Sequence, residues 1–541
     1  MNGGPGHWTI VPIALPLVAG AAMLLLGESR RRARAAIGLG SALALLAVAV
    51  FLLRSAGGPE GEIAIYLPGN WPPPFGIALA VDRLSAVMLT LTALLAVASL
   101  VFSLGRWDRA GVHFQPLFQF QLMGLNGAFM TADLFNLFVF FEVLLVASYG
   151  LALHGSGTGR VRAGLHYIAV NLAASFTFLI GVSLIYGAAG TLNLADLALR
   201  IPALDDHRRT LFDAGAAVLG LTFLVKAAAW PLNFWLPRLY AVSAAPVAAL
   251  FAIMTKVGIY ALLRIWSVMF GGASGPTPWF GLDWLLAIGL ATATLGAMGL
   301  LASQHLGRQV AYSVIVTSGT LLAAFGLGRE AVMGPALFYL VSSTLAAGAF
   351  FLVVELVERN RSFGADMLAI TFEAFELGDE QDPDRPDEVV GVAIPMATAF
   401  LGLSFVTCAL LVAGLPPLSG FLAKFAMLSA LLGPVQTATA TTGSWLLLAV
   451  VILSGLAGVV AFARSGIRGF WASDRGVPRL ALAEAAPVVA LLLLCAVLAV
   501  QAGPVMRYLD DAARALYRPQ QYIDAMSAVA VPDRPPGGGT P

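Results

Sequence analysis

Runs of about twenty apolar residues recur along this chain, and they constrain its fold more than any other feature. A run of that length crosses a hydrocarbon layer as one helix. Spans are expected near 8–26, 35–53, 83–104, 114–132, 134–153, 164–187, 214–237, 243–266, 279–302, 309–327, 332–354, 393–432, 444–464 and 486–503. The fold class is an all-α polytopic membrane protein of about 14 transmembrane helices. Composition agrees: 59% of the 541 residues are hydrophobic and 11% charged, against about 25% charged in a soluble domain. A soluble enzyme, a disordered chain, a collagen and a disulfide scaffold are excluded. A net charge of +1 leaves no global field to hold nucleic acid. Cys408 and Cys495 sit in apolar runs without Cys-x-x-Cys spacing, so no iron–sulfur or haem site is expected.

Arginine orients the spans. Arg30, Arg31, Arg32 and Arg34 follow the first, Arg106 and Arg109 the third, Arg160 and Arg162 the fifth, and Arg464, Arg468, Arg475 and Arg479 the thirteenth. The positive-inside rule makes these exits cytoplasmic and places both termini outside. In a bacterial inner membrane the termini are then periplasmic. The loop 188–213 is a mild exception, its Arg200, Arg208 and Arg209 offset by Asp196, Asp205, Asp206 and Asp213. The N-terminus MNGGPGHW lacks a positive region and a small-residue cleavage site, so the first span is read as retained. The acidic loop 356–390 reads as a solvated cytoplasmic connection, with a docking surface as the alternative. Residues 504–541 read as an extramembrane tail, disordered from 519.

The lysines carry the chemistry. There are three, Lys226, Lys256 and Lys424, and each lies inside an apolar span, leaving the loops to arginine. A GC-rich genome explains arginine in loops but not lysine in spans. A charge at the centre of a span costs about 2.5–3.5 kcal/mol on insertion scales. Arginine stays protonated, whereas burial favours the neutral amine of lysine, which can release its proton and take it up again. The competing reading is a lysine whose head reaches the headgroups. Lys226 and Lys256 are too central for that, and the depth of Lys424 is harder to read.

Glu142, in DLFNLFVFFEVLLVASYG, is the acid deepest inside a span and the expected partner of a buried lysine. Asp133, Asp82, Asp283, Glu355 and Glu358 lie near span ends. Two spans carry breaks beside lysines: Pro231 in LVKAAAWPLNFWLP, and Gly414, Pro416 and Pro417 in GLPPLSGFLAKF. Interrupted helices at membrane depth are tolerated where they line a wet or protein-filled space, and they point to transport paths. Breaks five spans apart suggest two repeats, spans 4–8 and 9–13. The corresponding divisions are 1–113 for spans 1–3, 114–266 and 267–464 for the repeats, 465–503 for span 14, and the tail. Counting 393–432 as two spans would move the C-terminus to the other side.

FFEVLL around Glu142, VKAAAWPLNFWLP with Lys226, Lys256 in the next span, and GLPPLSGFLAKF together resemble the antiporter-like proton-translocating subunits. These occur in complex I, membrane-bound hydrogenases and the multisubunit Mrp cation/proton antiporter. PGNWPPPFGIALAVDRLSAVM, TADLFNLFVFFEVLLVASYGL and FYLVSSTLAAGAFF look most like the D-subunit branch of the Mrp/Pha antiporters. The resemblance implies fourteen spans, an inverted pair of five-helix repeats and discontinuous spans 7 and 12. It implies that Glu142 pairs with Lys226, that Lys256 connects, and that Lys424 ends the second half-channel. Many relatives carry a histidine in span 11, where this chain has VSSTLAAG. Ser342 and Ser343 with trapped water are the available relay there, and serine holds no charge near neutral pH.

The implied function is proton translocation within a hetero-oligomeric Na⁺ or K⁺/H⁺ antiporter, a secondary transporter rather than an enzyme. The alternative is a proton-pumping subunit of a redox-driven complex. A third possibility is a membrane scaffold whose lysines can be replaced without loss. No cofactor and no metal site is expected, and the partners are other subunits, the transported ions and the bilayer.

Overall fold

The computed structural model describes residues 5–27, 29–58, 61–71, 76–271, 278–359, 395–433, 441–470 and 480–530. Most of the acidic loop, and the tail beyond 530, lie outside these residues. Helices dominate: α1 (Val11–Leu25), α2 (Arg31–Ala56), α3 (Arg83–Ser103), α4 (Phe114–Met130), α5 (Leu134–Ala152), α6 (Thr158–Ala189) and α7 (Leu194–Arg200). There follow α8 (Asp206–Lys226), α9 (Trp235–Val242), α10 (Ala245–Phe251), α11 (Met254–Phe270), α12 (Leu282–Ala302), α13 (Leu306–Gly326) and α14 (Glu330–Arg359). The chain continues through α15 (Met396–Ala413), α16 (Ser419–Leu432), α17 (Thr442–Phe470), α18 (Leu482–Val500), α19 (Ala502–Tyr517) and α20 (Gln520–Ala530). One antiparallel hairpin, β1 (Ala64–Tyr66) with β2 (Leu79–Val81), pairs Ala64 with Val81 and Tyr66 with Leu79.

Among the described residues, twelve helical stretches are long and apolar enough to cross a membrane. Two expected spans fall outside that set: α4 has 17 residues, and α8, though 21 residues long, carries Asp206, Arg208, Arg209, Asp213 and Lys226. The burial gradient defines the core. The stretch Ala245–Phe270 is wholly buried, and α13 and α14 nearly so, whereas α2, α12 and α15 are about one-third buried. In a bilayer the exposed apolar faces of the outer helices meet lipid or other subunits. The long central α14 packs on α10, α13, α15, α16, α18 and α19. Small residues bring some backbones close. A methyl group on Gly289 or Gly319 would collide with the facing backbone across the α12–α13 contact.

The two ends of the bundle differ in charge. At one end Arg160 Nε donates to Val242 O (2.6 Å), Arg464 Nη2 to Leu301 O (2.5 Å), and Arg359 pairs with Glu484 (2.5 Å). The other end carries helix-capping acids. The Ser85 N–H donates to Asp82 (3.0 Å), the Asn136 N–H to Asp133 (2.9 Å) and the Arg208 N–H to Asp205 (2.9 Å). Asp133 bridges to Asn193 there, beside the β-hairpin's contact with Thr131.

The reading of the tail as disordered from 519 needs correction over 520–530. The helices α19 and α20 occupy 502–530; α19 packs on α14, α3 and α11, and α20 on α7. Each is too short and too polar to register as a span, and residues 519–530 carry their apolar positions at helical spacing.

Candidate functional site

Lys226 is the last residue of α8. The chain then turns through 227–234, containing the cis Trp230–Pro231 peptide, before α9. Ala228 takes a left-handed φ of 54°, and the Trp230 N–H, released from any helical ladder, donates to Thr292 Oγ1 on α12 (2.9 Å). The Lys226 side chain is 7% exposed. Its Nζ makes no hydrogen bond and lies 4.8 Å from the Phe141 ring centroid, where the ring quadrupole favours a cation. Glu142 is half-buried, and its Oε1 accepts from Ser175 Oγ on α6 (2.5 Å). Glu142 and Lys226 are within electrostatic reach without a direct ion pair: the carboxylate is engaged by Ser175, and the ammonium faces the ring of the neighbouring residue. Ser175 carried no sequence signal, since single hydroxyls are common in apolar helices.

Lys256 is 1% exposed. It lies in the first turn of α11, just past an interruption at Ala252–Ile253 that separates α10 from α11. The Phe251 carbonyl at this break accepts from the Tyr240 hydroxyl (2.7 Å), a partner for backbone that would otherwise be buried unpaired. The Lys256 Nζ reaches only Thr255 Oγ1, at 3.3 Å. Gly258 brings α11 against the end of α8: a methyl group there would lie 2.7 Å from Ala227 N and 3.0 Å from the Lys226 carbonyl carbon. The first two lysines thus flank one close helix crossing.

Lys424 is 7% exposed and sits in α16, after the break that holds Gly414, Pro416 and Pro417, the last two joined by a cis peptide. Its Nζ donates to Ala413 O (2.8 Å) and Val412 O (3.3 Å), carbonyls at the C-terminus of α15. Cations are favoured at that end of a helix. Gly414 has φ 81°, and a methyl group there would lie 2.6 Å from Lys424 Cδ. A cavity of about 10 Å³, lined by Lys424, Tyr339, Ser313, Thr317, Ser343 and Ser454 among others, adjoins the ammonium. That volume is near the minimum for one water. Ser342 Oγ lies 2.8 Å from Ser419 Oγ, and Ser343 Oγ donates to Tyr339 O (2.6 Å). Both serines of α14 therefore face the Lys424 side. A methyl group on Gly348, farther along α14, would lie 3.6 Å from Ala249 O of α10, so one helix touches both halves of the lysine series.

Arginine is not confined to loops. Arg264, two turns beyond Lys256, is 4% exposed, and its Nη2 lies 2.5 Å from Asp82 Oδ2. Burial pushes the Asp82 carboxyl up, but the Arg264 charge and hydrogen bond and the Ser85 N–H outweigh it and hold the group below the usual carboxylate range. At Asp133 the balance is opposite: burial raises the carboxyl despite N–H donors from Asn136 and Phe135. Among the described residues no group of three His, Cys, Asp or Glu side chains could hold a metal.

The family model described as NADH:quinone oxidoreductase/Mrp antiporter, TM, matches residues 131–457, a stretch that includes Glu142 and all three lysines. A protein of Rhizobium meliloti (strain 1021), named as the D-subunit of a probable K⁺/H⁺ antiporter, is 55% identical over 95% of this chain and 96% of its own length. The Na⁺/H⁺ antiporter D-subunit of Alkalihalophilus pseudofirmus is 29% identical over 96% of this chain and 98% of that protein. Among solved structures, a chain of the Mrp complex from Dietzia sp. DQ12-45-1b superposes with a TM-score of 0.80 at 26% identity, covering 96% of this chain and 99% of that one. With its buried lysines set at helix breaks in a membrane bundle, the chain belongs to the NADH:quinone oxidoreductase/Mrp antiporter transmembrane family.

Proposed function

We propose that this chain is the proton-carrying subunit of a multisubunit monovalent cation/H⁺ antiporter, moving protons along Glu142, Lys226, Lys256 and Lys424. It is a transporter component and not an enzyme, and it works beside other subunits, as its relatives' names and the multisubunit complexes with its fold support. The observation that carries the reading is the placement of the lysines. All three in the sequence are buried beside helix interruptions, and none forms an ion pair among the described residues. Three such charges would cost on the order of 8–10 kcal/mol on insertion scales if left unpaired.

In this reading the observed geometry is the open state of the Glu142–Lys226 pair. With the carboxylate on Ser175, Lys226 is held by the Phe141 ring, the end of α8 and only the longer-range charge of Glu142, and yields its proton toward Lys256. Closing the pair recharges Lys226. Ser342 and Ser343, with water, connect onward to Lys424. The arginine end is placed on the cytoplasmic side, and 114–266 and 267–464 are taken as the two repeats. The cation is Na⁺ or K⁺, and relatives named for each exist.

The test is Lys226→Ala in the assembled complex, assayed in everted vesicles by dissipation of a pH gradient on adding K⁺ or Na⁺. Loss of exchange with normal assembly is expected. Normal exchange would place the proton path in another subunit. Glu142→Gln is expected to assemble and to slow exchange at least about tenfold, because the pair can no longer recharge Lys226.

A further inference from the structure

The relay needs a wet connection to one side of the membrane, and a second cavity lies at the arginine end. It measures about 260 Å³, and its walls include Trp107, Arg160, Tyr240, Ala245, Ala248 and Glu355. At roughly 30 Å³ per water it holds several molecules. The end of α14 forms its longest wall, and α10 faces it with Ala245 and Ala248. Ala245 opens that helix, Ala248 lies one turn deeper, and Phe251 ends it at the break before Lys256. From Ala245 to Phe251 the axial rise is about 9 Å. Tyr240 spans the remaining distance: it lines the cavity, and its hydroxyl donates to the Phe251 carbonyl at the break.

One carboxylate is fixed in this cavity. Glu355 accepts from Trp107 Nε1 at 2.8 and 2.7 Å and from the Ala245 N–H at 3.1 Å. These donors fix it at the wall, within the field of the nearby guanidinium groups, none of which forms an ion pair with it among the described residues. Arg359 is engaged by Glu484, Arg160 donates to Val242 O, and Arg106 and Arg160 both lie over the Trp107 ring, at 5.6 and 4.9 Å. Glu358 also faces the space. A carboxylate oriented by three donor contacts yet open to water is a suitable group for passing protons between solvent and a buried amine.

We infer that this cavity is the proton mouth of the relay, and that Glu355 is the group at which protons pass between the arginine side and the water leading to Lys256. Uptake forms an O–H bond on Glu355 from a hydronium. Transfer breaks that bond, passes the proton by way of the cavity water on the Tyr240 side, and forms an N–H bond on the Lys256 amine. No other co-reactant is needed, and release on this side is the reverse. The inference rests on the reading of Lys256 as a proton carrier.

Two variants in the full complex test it. Glu355→Gln keeps an acceptor for Trp107 and Ala245 but cannot carry the proton, and is expected to slow cation-dependent exchange about tenfold with unchanged assembly. Ser243→Cys reports water access, because Ser243 lines the cavity half-buried whereas the native Cys408 and Cys495 are buried. A membrane-impermeant thiol reagent is expected to label it in everted vesicles and not in right-side-out ones. Wild-type exchange in Glu355→Gln, or no labelling from the everted side, overturns the inference. Lys256→Ala is the reference. If it too exchanges normally, the relay itself fails; if it is inactive while Glu355→Gln is normal, only the mouth does.

Discussion

Asp82 and Arg264 show how much rests on single residues. Both are buried and joined at 2.5 Å, and removing one partner strands the other charge. Asp82→Asn is expected to cost about 3–5 kcal/mol at neutral pH, measured as a lowered midpoint of thermal unfolding in detergent. The sign of the pH dependence follows from the lowered Asp82 carboxyl. Its stabilisation is complete above the ordinary carboxyl value near 4 and fades as pH falls through the lower folded value, so the gap between wild type and variant narrows in acid. At this scale the sequence was unevenly legible. The lysines stood out because all three fell in apolar runs. Arg264 did not, because its partner lies 182 positions away and its place near a span end suited an ordinary interfacial arginine.

The interruptions define the element scale. Gly414 closes α15 in the left-handed region, and its missing side chain leaves room for the Lys424 stem. Gly414→Ala is expected to cost about 1–2 kcal/mol in backbone strain and to push Lys424 off the Val412 and Ala413 carbonyls, slowing exchange several-fold. Gly281→Ala is the matched control. Its φ is 79° but nothing lies within 4 Å of the added methyl, so it bears similar strain and keeps normal exchange. Gly319→Leu tests the close α12–α13 contact and is expected to lower the yield of folded protein. The proline-marked breaks were readable because a proline in a helix interior removes a hydrogen bond and clashes with the preceding turn. The break before Lys256 was not, since LFAIMTK holds neither proline nor glycine. It depends on Tyr240, which reaches the Phe251 carbonyl from another helix.

At the scale of the whole molecule, the apolar runs disclosed a membrane bundle, but they could not disclose what covers its acidic end. The covering is α19–α20. Tyr522 lies 4.9 Å from the Arg264 guanidinium, Arg83 reaches Asp511 at 3.8 Å, and the Tyr508 hydroxyl donates to Leu53 O at 3.1 Å. Ending the chain at Gln501 is therefore expected to destabilise the bundle and admit water to the Asp82–Arg264 pair, read as faster amide hydrogen exchange in α11. The same arrangement imposes an order on biosynthesis. Ribosomes add about 5–20 residues per second, so Tyr522 follows Asp82 by roughly 20–90 s. Arg264 completes the pair 182 residues after Asp82, so for roughly the last 13–52 s of that interval the nascent bundle holds an unroofed ion pair. Its protection then has to come from the insertion machinery or from subunits that have already docked.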